Sequence, residues 1–142
     1  MKKVFFIGLW LLLFSSCSST IKTVDTKSLF EVLTQQSDGG ANIRFFEILS
    51  ESKEIAMLQN DEKLKNKIHP NDSQNCNFVI LNMGEKNSSG YKIGVESAVE
   101  TDKNIIITVK ETTPDPNTIT LQVITYPYCI VKINSKKEII FK

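Results

Sequence analysis

Several residue types that carry chemistry are scarce in this chain of 142 residues: there is one histidine, His69, one arginine, Arg44, one tryptophan, and three cysteines. A Ser-His-Asp or Cys-His arrangement would have to use His69 as its base. Its neighbours Pro70 and Asn71 put it on a surface loop, so it reads as an exposed histidine without a catalytic role. A zinc site built on His69, Asp72 and Cys76 would have unfamiliar ligand spacing and lack a fourth donor, so no metal is expected. No phosphate loop or dinucleotide fingerprint occurs, because Gly90 and Gly94 stand alone; no cofactor is expected either. A concentrated basic patch is also missing. The lysines are interleaved with carboxylates and the formal net charge is +1, which argues against nucleic acid as a partner. Glu96, Glu100, Asp102 and Glu111 have no spacing that demands an acid–base pair and read as the solvated face of a sheet. The chain is therefore expected not to be an enzyme.

Long apolar runs are lacking too. The longest, Val4 to Phe14, is shorter than the roughly 20 residues that cross a bilayer. Preceded by Lys2 and Lys3, it has the charged start and short apolar core of a secretory signal. The following Leu13-Phe14-Ser15-Ser16-Cys17 resembles a bacterial lipobox, with Phe14 bulkier than the usual aliphatic residue. The expectation is a signal peptide over 1–16, acyl chains such as palmitate on Cys17, and a polar tether over 17–27 that leaves the rest of the chain mobile above the membrane. Ser18 stands where an aspartate is associated with inner-membrane retention in some bacteria. This favours an outer-membrane lipoprotein of the cell envelope, its membrane partner reached through the N-terminal lipid.

Apolar residues at 41% and charged residues at 23% are ordinary for a folded chain, and 28–142 is long enough for one β-rich domain. Ser28 to Gln36 reads as a helical turn or a strand, closed by Asp38-Gly39-Gly40. Ile43 to Leu49 reads as a strand, and Lys53 to Lys65 as a helix with an apolar stripe of Ile55, Ala56, Leu58 and Leu64. A loop is expected over 66–75. Strands are expected at Phe78 to Met83, Tyr91 to Val95, Ile105 to Val109, Ile119 to Thr125, Ile130 to Ile133 and Glu138 to Phe141, connected as an antiparallel meander. The fold class is α+β: an antiparallel β-sheet or small sandwich with one packed helix. Once Cys17 carries lipid, Cys76 and Cys129 remain, either as a disulfide or as two separate buried thiols. A bridge requires their Cα atoms to lie within about 7 Å.

The segment Asn82-Met83-Gly84-Glu85-Lys86-Asn87-Ser88-Ser89-Gly90-Tyr91-Lys92-Ile93, with the later Thr125-Tyr126-Pro127-Tyr128-Cys129-Ile130-Val131-Lys132, resembles the PrcB C-terminal domain family of protease-complex subunits over about 78–133. That family has a strand ending in Gly-Glu, a small-residue loop entering Gly-Gly-Tyr, and a late Pro-Tyr before an apolar strand. Ser89 replaces the first of the two glycines, and Cys129 follows Pro127-Tyr128 where histidine or another residue is common. The resemblance implies an exported, often lipid-anchored protein that binds and supports a protease without cleaving anything. The partner would contact Asn87, Ser88, Ser89, Gly90, Tyr91, Pro127 and Tyr128. A second likeness, of Asn87 to Tyr91 with the Asn-Pro-Thr-Thr-Gly-Tyr loop of chagasin-type inhibitors, implies direct protease inhibition; the two companion loops of that family have no counterpart here. A structural or ligand-binding envelope lipoprotein is the remaining alternative.

Overall fold

Alternating apolar side chains build most of the architecture. The computed structural model describes residues 28–142; the signal peptide, Cys17 and the tether lie outside the described residues. In chain order the elements are β1 (Phe30–Gln36), β2 (Arg44–Leu49), α1 (Ser52–Gln59), α2 (Asp72–Asn75), β3 (Asn77–Met83), β4 (Lys92–Glu100), β5 (Asn104–Thr112), β6 (Tyr128–Ile133) and β7 (Glu138–Phe141). One sheet has the strand order β1-β6-β3-β2 and is antiparallel throughout. The other has the order β4-β5-β7, with β5 and β7 parallel.

The central strands β3 and β6 of the four-stranded sheet are buried on both faces. Val79, Leu81 and Met83 of β3 and Cys129, Val131 and Ile133 of β6 point one way and meet Ile93, Ile105, Ile107 and Ile139 of the other sheet. Their alternate neighbours Phe78 and Ile130 point the other way, where Ile55, Leu64 and Ile68 from α1 and the turns after it cover them together with Leu33 and Leu49. This explains why Asn77–Met83 reads as a nearly continuous apolar run, as a strand buried on both faces must. Each such fully buried side chain contributes about 1.5–3 kcal/mol.

The protein is thus mostly antiparallel β-structure with short helices; in three places it departs from the sequence expectation, and in two it settles alternatives the sequence left open. The strands form two facing sheets instead of a meander, because β6 returns between β1 and β3. Ser28 to Gln36 resolves as a strand; the register of β1 slips between Val32 and Thr34, and the bulged Leu33 turns into the helical layer. The helix stops at Gln59 and gives way to turns, while Asp72–Asn75 forms a second short helix inside the expected loop. Ile119 to Thr125 is not a strand of either sheet; only Thr125 makes a bridge, to Lys86.

The cysteines resolve to the second of the two alternatives: Cys76 and Cys129 are both buried and are not bonded to each other. Cys129 lies opposite Leu81, five positions along from Cys76, which at 3.3 Å per residue is about 16 Å and far beyond disulfide reach. The two belong to different clusters, Cys129 between the sheets and Cys76 on the helical side. Burial pushes the Cys129 thiol up to about 11.

Candidate protein-binding surface

Three segments converge where β3 ends and β6 begins. Lys86 and Thr125 exchange backbone hydrogen bonds of 2.9 Å in both directions, and the Met83 N–H donates to the Pro127 carbonyl at 2.9 Å. The turn before β2 is fastened to the same end. Asn82, 1% exposed, donates through Nδ2 to the Ala41 and Ile43 carbonyls and accepts the Ala41 N–H at 2.9 Å. The Gly40 N–H reaches the Tyr126 carbonyl at 2.9 Å. A Cβ on Gly40 would lie 2.2 Å from Asn82 Oδ1, so this packing requires glycine.

All seven residues proposed for partner contact lie at this end, and most of them face inward. Ser88 is buried, and its carbonyl accepts the Thr125 hydroxyl at 2.9 Å. The Ser89 N–H donates to the Leu121 carbonyl at 3.0 Å, while its Oγ accepts the Leu121 N–H at 2.9 Å. No residue other than glycine among those described has a positive φ, so Ser89 replaces a glycine without strain and adds a hydrogen bond that glycine could not make. Gly90 keeps the left-handed backbone, with φ of 97°, and sits against Pro114. Tyr91 packs on the core between the sheets with the Lys86 ammonium 5.7 Å from its ring centre. Pro127 is buried and Tyr128 half-buried against the helical-side cluster. Only Asn87 and Gly90 are exposed.

The surface available at this end is instead the segment expected to be a strand. Ile119 is 97% exposed, Leu121 67%, Val123 47% and Ile124 59%. Leu121 is held by Ser89 and Thr125 by Lys86, while the side chains between them stand in solvent without a covering layer. The sequence suggests a strand here because these residues are apolar or β-branched. The prolines at 114, 116 and 127 are the signal that points the other way, since proline interrupts a strand ladder on either side of the run.

Charge at this end is sparse, and two of its carboxylates accept hydrogen bonds from Tyr126. The Tyr126 hydroxyl donates to Glu85 Oε2 at 3.2 Å and its N–H to Asp38 Oδ1 at 3.1 Å. Partial burial, then the Glu85 and Asp38 carboxylates, hold the Tyr126 phenol above its ordinary range. His69, on the helical side, is exposed, and its backbone N–H donates to Asp72 Oδ2 at 2.8 Å. Among the described residues no group of three or more His, Cys, Asp or Glu side chains is placed to hold a metal ion. Exposed apolar side chains gathered at such an end are a kind of surface suited to protein contact.

Residues 77–134 match the family model described as PrcB C-terminal. The match bears out the resemblance carried by the Gly84 to Tyr91 and Pro127-Tyr128 landmarks, and its limits fall within one residue of the segment those landmarks mark out. Comparison with curated proteins and with solved structures gives no match for the chain.

Proposed function

We propose, from the PrcB C-terminal segment at 77–134, that this chain is a non-catalytic protein-binding module that associates with a protease complex of the bacterial envelope. The observation that carries the reading is the exposed apolar strip of Ile119, Leu121, Val123 and Ile124, fastened to the loop end of that segment. Backbone bonds from Ser89 to Leu121 and from Lys86 to Thr125 reduce the conformational freedom the segment has to lose on contact, which favours binding. In this reading the loop of Asn87 to Tyr91 acts chiefly as the support that presents the strip, and Asn87 and Gly90 border the contact. The lipid on Cys17 and the outer-membrane location belong to the same proposal: they confine the module to the surface where an exported partner works.

The test is recovery of a partner from the native cell envelope in mild detergent. The tagged, lipid-anchored chain is compared with a variant carrying Ile119→Ser, Leu121→Ser and Ile124→Ser. The proposal expects a protease to be recovered with the first and lost with the second. Equal recovery with both moves the contact elsewhere, and reproducible absence of any protease removes the protease reading.

A further inference from the structure

Among the described residues, β2 leaves one edge of the four-stranded sheet without a neighbouring strand. Such an edge turns alternate N–H and C=O groups outward, where another extended backbone can satisfy them. Beside it, between β2 and α1, runs a groove of about 350 Å³ lined by Glu47, Leu49 and Ile80 from the sheet and Glu54, Met57 and Leu58 from the helix. Met57 is 72% exposed there although nothing polar accompanies it on its own side chain.

The charge of the groove is one-sided. Neither Glu47 nor Glu54 forms an ion pair among the described residues. Glu54 spends Oε2 on the N–H groups of Ser50 and Glu51, and Lys136, between β6 and β7, gives its Nζ to the Ser50 carbonyl. Glu47 lies on the groove face of β2, opposite Ile80, and Leu49 lies on the same face two residues on, opposite Phe78.

We propose that the β2 edge receives an extended basic peptide as an added strand, with an apolar side chain seated against Leu49 and Met57 and a Lys or Arg two residues away beside Glu47. Residues two apart on a strand share a face, so one peptide meets both requirements. Cross-strand charge pairing supplies the preference for a cation. A second copy of the chain is a poorer occupant. Antiparallel pairing of two β2 edges sets Glu47 opposite Phe45, Glu47 or Leu49 of the other copy; Arg44 lies on the opposite face and never reaches it. The groove adjoins the Leu49 end of β2, whereas the strip described above lies near the Arg44 end, so this inference stands apart from the protease reading.

The experiment uses the full chain in mild detergent and a fluorescein-labelled eight-residue peptide in which threonines alternate with Leu and Arg, followed by fluorescence anisotropy. Saturable binding is expected, about tenfold weaker for the peptide with Glu in place of Arg and for the Glu47→Lys protein. Met57→Ser should weaken it severalfold, and backbone N-methylation of alternate peptide residues should abolish it. The strip variant should bind as wild type. Both single variants change exposed side chains, and retention of the thermal transition checks that each folds. Equal binding of the Glu peptide, indifference to Glu47→Lys and Met57→Ser, full binding by the N-methylated peptide, or a concentration-dependent dimer that Glu47→Lys alters would each overturn the proposal.

Discussion

Lys132 is 5% exposed on a central strand, and its ammonium lies 3.4 Å from both Asp72 Oδ2 and Glu31 Oε2. Burial alone would raise the Asp72 carboxyl, but the His69 N–H and Lys132 outweigh it and hold it below its ordinary 3.8. Burial likewise opposes the charge on Lys132, and Asp72 and Glu31 reverse this, lifting it above 10.5. The depressed acid contributes stability above 3.8 that is lost as pH falls through its lower folded value. The raised base contributes stability below 10.5 that is lost as pH rises through its higher folded value. Urea unfolding should therefore give a plateau from about pH 5 to 9, with an acid-side decline that Lys132→Met flattens. Asp72→Asn leaves Lys132 paired with Glu31 alone and should cost about 1.5–3 kcal/mol at neutral pH, the loss of a hydrogen bond to a charged group, and the Asp72→Asn, Lys132→Met double variant should cost less than the two single costs together. Cys129, with its thiol pushed up to about 11 by burial, should resist alkylation at pH 8 until the chain unfolds, as mass spectrometry of pulse-labelled protein would read.

At the scale of elements, loop and strip depend on each other through few bonds. Thr125→Val removes the hydroxyl that satisfies the buried Ser88 carbonyl and should cost about 1–2 kcal/mol in chemical denaturation. Serine at Leu121 or Ile124 changes an exposed side chain and should stay within about 0.5 kcal/mol of wild type. Strands were legible from the sequence wherever a run alternated cleanly or was apolar throughout, as in β3, β5 and β6. β1 was ambiguous because Leu29, Phe30, Val32 and Leu33 fit both periods, and the bulge at Leu33 is what breaks its alternation. Ile119 to Thr125 misled because periodicity records only which side chains could share a face, not whether a neighbour is present to cover it. The parallel pairing of β7 with β5 is a matter of topology that four residues do not encode. The landmarks of the candidate site were legible through the family resemblance; the exposed strip beside them was not.

Across the whole molecule, closure depends on the last strand. Ile139 is buried between the sheets, Phe141 meets Phe46 with ring centres 5.4 Å apart, and Arg44 lies over Phe46 while binding Glu111 at 2.7 Å. Deleting residues 138–142 removes this seam and leaves β5 with an open edge beside Ile105 and Ile107. The truncated chain should lose its sharp thermal transition and self-associate, as calorimetry and light scattering would show. The exposed Arg44–Glu111 pair contributes far less, about 0.5–1 kcal/mol by alanine substitution.

The chain enters the described region at Ser28, beside Asn134, while the loop end lies at the far end of β1, where Gln36 faces Tyr128. A pull on the N-terminus against a load held at the loop end therefore runs along the axis of β1. It shears the whole ladder between β1 and β6 at once and does not peel its bonds one by one. The molecule is strung like a rope spliced along its length, and tension between the two ends is borne by every rung of the splice together.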